Sequence, residues 1–169
     1  MLGERKMREI AGRVLSLSAA EQTEVLIMSE DSGLTHFANS YIHQNVAERN
    51  VGLRVRTVEG KKIGVASIND LSPEALERVV ERALTIARLQ PENPDFTSLP
   101  GPAPIAVIEA FDEATAAFGP EARARAVGVI CQLAVENGLV ASGAFTTGAG
   151  ELAVANSLGV FAYHATTSA

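Results

Sequence analysis

Residues 32–46 read SGLTHFANSYIHQNV, the densest run of unusual polar and aromatic side chains in the chain, and the fold turns on how this stretch is read. Residues 34–46 suit an extended strand but are too polar for one buried on both faces. As a single strand, alternation places Phe37, Asn39, Tyr41 and His43 on one face, and His36, Ala38, Ser40, Ile42 and Gln44 on the other. Before it, the apolar run EVLIMS at 24–29 reads as a strand bounded by the turn-forming Asp31-Ser32-Gly33. After it, Glu48-Arg49-Asn50 supplies a turn. Val51, Leu53, Val55 and Thr57 then alternate with Gly52, Arg54 and Arg56, and Glu59-Gly60-Lys61 closes a hairpin into a strand over 63–68. Four consecutive strands with short connections predict an antiparallel meander.

Helices flank this meander. Met7, Ile10, Ala11, Val14 and Leu17 recur at helical spacing and predict a helix over 4–17. Ser72-Pro73-Glu74 combines a hydroxyl N-cap, a proline at the first helical position and an acid in the first turn. Leu76, Val79, Val80, Ala83, Ile86 and Ala87 form the buried stripe of the helix that follows, which should cover one face of the meander. Residues 90–104 hold most of the prolines and little periodicity, as an extended connection would. A short helix is predicted over 111–118. Gly119-Pro120-Glu121 starts another, with Ala126, Val127, Ile130, Leu133 and Ala134 inward and Asn137-Gly138 as its stop. Residues 140–147 and 151–155 are strand-like and split by Gly148-Ala149-Gly150; Asn156-Ser157-Leu158-Gly159 then turns into a strand over 160–164. The expected fold class is α+β: an antiparallel β-meander packed with helices, followed by a second helix and β-hairpin region. Residues 1–90 form the expected N-terminal subdomain and 91–110 the connection. Residues 111–169 read as a helix plus the start of a further β-sheet, in a chain that looks cut from a longer one.

A chain of 169 residues suits one large domain or two small ones. At that size roughly 70% of the unfolded chain's surface can be buried. Lys and Arg number 14 against 20 Asp and Glu, and none follows Arg125, which argues against a nucleic-acid partner. The single cysteine, Cys131, excludes an internal disulfide framework and fits a reducing compartment. No apolar run reaches the roughly 20 residues that span a bilayer. The basic N-terminus is interrupted by Glu4 and Glu9 and lacks the apolar region of a targeting peptide. A cytoplasmic protein is expected, with neither membrane nor nucleic acid as partner.

Catalytic constellations are sparse. On one strand, His36 and His43 point to opposite faces and cannot converge on an ion without a bulge. His164 lies far off in sequence, and Cys131, inside VGVICQLAV, reads as a small core residue. No zinc site is expected from these four. No nucleophile elbow occurs. Gly143, Gly148 and Gly150 around Thr147 lack the lysine of a P-loop and fit bends in paired strands. Arg54, Arg56, Lys61 and Lys62 read as a solvated sheet face in preference to a clamp for an anionic peptide terminus.

Three stretches together resemble a family. SGLTHFANSYIHQNV, the hairpin VGLRVRTVEGKKIGVASIND and the Ser-Pro-Glu-capped helix look like the opening of the TldD/PmbA proteins, also called modulators of DNA gyrase and regarded as zinc metallopeptidases. The segment ASGAFTTGAGELAVANSLGVFAYH is similar to that family's mid-chain region. His36 departs from the family, whose members often carry arginine after the Leu-Thr pair. The resemblance implies that zinc is held in a later domain by a His-Glu-x-x-x-His helix and a distant cysteine. A metal so held lowers the pKa of bound water to about 7, and the glutamate takes the water's proton. No His-Glu pair occurs in this chain, so no catalytic or metal-ligating residue is expected in it, and zinc is expected only in a full-length parent. The implied role is that of a metallopeptidase's N-terminal domain, acting as scaffold, dimer element and wall of a cavity for unfolded or small peptides. The dimer would form with itself or a family paralogue. Asn39 and His43 are the candidate cavity residues, since amide and imidazole groups can bond a peptide backbone. The alternatives are a non-catalytic, substrate-presenting partner subunit and a stand-alone binding module.

Overall fold

Asn39 and Ser40 reverse the chain, and the Asp31-Ser32-Gly33 and Glu48-Arg49-Asn50 clusters do not. The computed structural model describes residues 1–169. In it, β1 (Gln22–Ala38) and β2 (Tyr41–Glu59) each run unbroken through a cluster that was expected to turn. Both turn residues take left-handed φ, 53° at Asn39 and 60° at Ser40, which a two-residue hairpin turn of primed type requires. The following loop holds them there: the Ser40 amide donates to the Ala141 carbonyl at 2.9 Å, and the Ala141 amide to Ser40 Oγ at 3.0 Å. Asp31 stays extended because it is paired on both sides, to Arg49 on β2 and to Ala149 on the strand beyond. The meander therefore has three strands, not four.

β2 turns at Gly60, whose φ is 58°, into β3 (Lys62–Ile68). After the helices, β4 (Gly143–Asn156) pairs antiparallel with the free edge of β1, and β5 (Phe161–Ser168) pairs with β4. The sheet has five strands in the order β3-β2-β1-β4-β5, all antiparallel. Residues 143–168 thus extend the first sheet and do not begin another. Gly148-Ala149-Gly150 lies inside β4, with partners on both sides, and does not split it. Asn156 shapes the last hairpin: its Oδ1 accepts from the Leu158 and Val160 amides, and its Nδ2 donates to the Pro100 carbonyl at 2.7 Å.

All the packed helices cover one face of this sheet. Alternation buries the odd-numbered residues of β1 along most of the strand, from Thr23, Val25, Ile27 and Ser29 to Thr35 and Phe37. Over the first half lie α1 (Glu4–Leu17) and α2 (Pro73–Leu89). They bury Met7, Ile10, Val14, Leu76, Val79 and Ala83 against Val25, Ile27, Leu53, Val55 and Ala153. Each fully buried aliphatic side chain contributes roughly 1.5–3 kcal/mol, so this cluster dominates the stability of the fold. Both helices occupy the span read from periodicity. Ser72 precedes α2, but its side chain makes no capping bond. Its hydroxyl donates to Asp70 Oδ2 at 3.0 Å and its amide to Asp70 Oδ1 at 2.8 Å. Those two bonds, the amide's first, hold the Asp70 carboxyl below the usual carboxylate range.

The second half of the face carries α3 (Glu113–Ala116) and α4 (Pro120–Glu136). α4 is rotated from its predicted orientation. Arg123, Val127 and Cys131 are its buried residues, while Ile130 and Leu133, expected inward, are 50% and 60% exposed. Residues 91–109 run without helix or strand, tied down where Gln22 accepts from the Leu99 amide at 2.8 Å. No helix is long and apolar enough to cross a membrane.

Candidate functional site

Polar groups concentrate where α4 meets the long β1–β2 hairpin. Pro120 at the first helical position and the bond from the Arg123 amide to the Gly119 carbonyl set the first turn of α4. Arg123 therefore projects onto β1 at Gly33. A Cβ at residue 33 would overlap the guanidinium where it lies, so the glycine leaves the space that the guanidinium fills. Arg123 is 3% exposed, and no carboxylate pairs with it. Neutral acceptors take its protons instead: Thr35 Oγ1 from Nε at 3.2 Å, the Phe118 carbonyl at 3.0 Å and Thr147 Oγ1 at 2.8 Å from Nη1, and Asn45 Oδ1 from Nη2 at 3.4 Å. A buried cation is tolerated only when its donors are satisfied in this way. Arg123→Ala leaves these acceptors bare and opens a cavity, so urea denaturation should show a loss of about 2 kcal/mol. Arg123→Lys should not restore it, since one ammonium cannot reach acceptors arranged for a planar fork. A variant within 0.5 kcal/mol of the parent, on the scale of ordinary surface substitutions, would show that the network carries no stability.

Beside this network lies a cleft of about 210 Å³, lined by Asp31, Ser32, Glu48, Arg49, Thr115 and Arg123 among others. Asp112 positions Thr115 by accepting from its amide at 2.6 Å, and bonding from Thr115 holds the Asp112 carboxyl below its ordinary range. The lining offers donors, hydroxyls and carboxylates, with neither His nor Cys among them.

The residues singled out in the sequence sit further along the hairpin. Asn39 is exposed in the turn itself, its amide 3.4 Å from Ser142 Oγ. His43 is exposed on β2, and its Nε2 lies 2.9 Å from His36 Nδ1. Neither lines the Arg123 cleft. The two histidines occupy neighbouring strands, not one strand, so the placement on opposite faces does not hold. Under the tip, Phe37, Val127 and Cys131 form a small apolar cluster with Ile42, Ala141 and Phe145 packed against it. Cys131 is a buried core residue, as read. No three His, Cys, Asp or Glu side chains gather so as to hold a metal ion. Arg123 escaped sequence reading because an arginine in an apolar helical stripe looks like a break in the stripe.

The comparisons with known proteins agree with the sequence resemblance. Residues 23–87 match the family model described as PmbA/TldA metallopeptidase domain 1. Among solved structures, TldE from Thermococcus kodakarensis superposes with a TM-score of 0.84 at 18% identity, over 95% of this chain and 37% of that one. A protein from Thermotoga maritima that carries the name modulator of DNA gyrase gives 0.81 at 12% identity, over 95% and 37%. Another so named, from Bacteroides thetaiotaomicron, gives 0.83 at 13% identity, over 99% and 40%. At these identities the likeness shows the fold. The chain spans 37% to 40% of the length of these relatives. No curated protein matches the sequence.

Proposed function

We propose, on the premise that residues 23–87 are a TldD/PmbA-type first domain, that this chain is the scaffold portion of a zinc metallopeptidase acting on unfolded or small peptides. The observation that carries this reading is the family match itself, whose model describes domain 1 of a metallopeptidase. The shared fold, covering 95% or more of the chain, supports extending the reading beyond the matched residues. In this role the chain supplies a rigid sheet, a share of a homodimer or of a heterodimer with a paralogue, and one wall of a peptide cavity. Asn39 and His43, exposed at the end of the hairpin, are the groups offered to a peptide backbone. The catalytic zinc and its ligands belong to a segment outside this chain, whose sequence has no His-Glu pair.

Purified as these 169 residues, the protein should retain no stoichiometric zinc through dialysis against a chelator and cleave no unfolded peptide. Zinc that survives dialysis, or any metal-dependent cleavage, would overturn the assignment. Reading the coding frame on both sides of the segment separates the remaining cases. A His-Glu-x-x-x-His motif in frame supports the peptidase. A frame of family length without it supports the non-catalytic, substrate-presenting subunit. A frame that holds only this segment removes both readings.

A further inference from the structure

We propose that His36 and His43 form a two-imidazole chelating site for a divalent transition metal of the Cu(II) or Ni(II) type, at the end of the β1–β2 hairpin. A break in register creates the site. His36 pairs with Gln44 and Phe37 with Ile42, so His43 is the extra, unpaired residue of a β-bulge. Bulges re-aim a side chain, and here the two rings meet edge to face, with centroids 4.7 Å apart and planes at 78°.

His36 Nδ1 and His43 Nε2 lie 2.9 Å apart. Two imidazole nitrogens each about 2.0–2.1 Å from one ion sit about 2.9 Å apart when they subtend a right angle, and about 3.4 Å apart at the tetrahedral angle. The hydrogen bond thus already holds the two nitrogens at the separation that adjacent corners of a square-planar or tetragonal ion need, the geometry that Cu(II) and Ni(II) favour. In the free protein the pair shares a hydrogen bond, so one of the two facing nitrogens carries a proton. Metal binding moves that proton to the outer nitrogen of the same ring, His36 Nε2 or His43 Nδ1, and small ring rotations aim both lone pairs at the ion. With His43 exposed and His36 half-buried, the remaining coordination positions open to water or to a donor on a bound molecule. Both ligands belong to this chain, so the inference stands whether or not the peptidase reading does.

The test is a Cu(II) titration of the untagged 169-residue chain, followed by calorimetry and by electron paramagnetic resonance. One equivalent should bind with the signature of two equatorial nitrogens and should be removed by dialysis against a chelator. His36→Asn and His43→Asn should each weaken binding by about tenfold or more, as loss of one of two chelating arms requires. His164→Asn, on β5, should leave affinity unchanged, and circular dichroism should show all three variants folded. Absence of binding to the parent chain, or equal weakening by His164→Asn, overturns the site. Zinc retained through dialysis by the protein as purified would instead count against the proposed function and leave the Cu(II) titration to decide this site, so the two failures are distinct.

Discussion

Gly64→Ala is expected to destabilise the protein by about 3 kcal/mol, a large effect for a single added methyl group. Gly64 lies on β3 directly beneath α2. A Cβ at that position would overlap the Ala83 carbonyl oxygen and the Ala87 amide nitrogen and come within 2.9 Å of Ala87 Cα. Every one of these is a backbone atom, so no side-chain rotation can make room. Helix α2 would have to lift from the sheet, loosening Val79, Val80, Ala83 and Ala87, each 3% exposed or less. Typical domains are stable by only 5–15 kcal/mol, so such a loss is a large fraction of the total. Gly12 is the control: it lies in α1 with nothing within 4 Å of its Cβ position. Gly12→Ala should stabilise by up to about 1 kcal/mol through helix propensity alone. Urea denaturation of the two variants reads the contrast. A loss below about 1 kcal/mol at Gly64 would show that α2 can slide on the sheet without cost, against the usual penalty for overpacking.

The same contact explains why α2 was legible in the sequence and α4 was not. Leu76, Val79, Val80, Ala83 and Ala87 recur at helical spacing and are all buried, because one amphipathic face meets one sheet face. α4 is apolar nearly all round, so periodicity could not choose its buried side. The choice fell to Arg123, whose guanidinium fits the gap above Gly33. Strand identities were legible from alternation, and strand ends were not. Asp31-Ser32-Gly33, Glu48-Arg49-Asn50 and Gly148-Ala149-Gly150 all have turn composition, yet each is held extended by partners distant in sequence. Turn residues lower the cost of reversing the chain; they do not compel it when a neighbouring strand continues the ladder, on both sides at residues 31–33 and 148–150 and on one side at 48–50. At Asn39-Ser40 no such ladder continues, and the turn forms.

The misplaced turn also misplaced the histidines. Read as one strand, residues 34–46 separate His36 from His43; folded as a hairpin with a bulge, they bring the rings into contact. The Arg123 network gathers Thr35, Asn45, Phe118 and Thr147, which span more than a hundred residues of sequence. No local pattern announces such a set. Only sheet register brings Asn45, paired with Thr35, and Thr147, paired with Gly33, close enough for one side chain on α4 to bridge the cluster.

Glu151→Ala is expected to cost about 3 kcal/mol, because one buried carboxylate joins α1 to the sheet. Glu151 is 4% exposed on β4. It accepts from the Leu2 amide at 2.6 Å, the Gly3 amide at 2.7 Å and the Tyr163 hydroxyl at 2.7 Å. The two amides precede α1, where its dipole favours a negative charge and no side chain within the helix supplies a cap. Truncation leaves all three donors without an acceptor in a space that water enters poorly. The Tyr163 phenol supplies an independent readout. Burial, then the hydrogen bond to Glu151, then the charge of Glu151 push its pKa well above the ordinary tyrosine range. The folded state therefore favours the neutral phenol. This contribution is complete below about pH 10, where an unfolded tyrosine ionises, and is lost as the pH rises above that value. In a Tyr41→Phe background, which leaves one tyrosine, the tyrosinate absorption band should appear at lower pH in Glu151→Gln than in the parent. The variant should also lose less stability between pH 9 and 11. Identical tyrosinate titrations in the two proteins would mean that burial alone holds the phenol neutral and that the Glu151 bond does not couple β4 to β5.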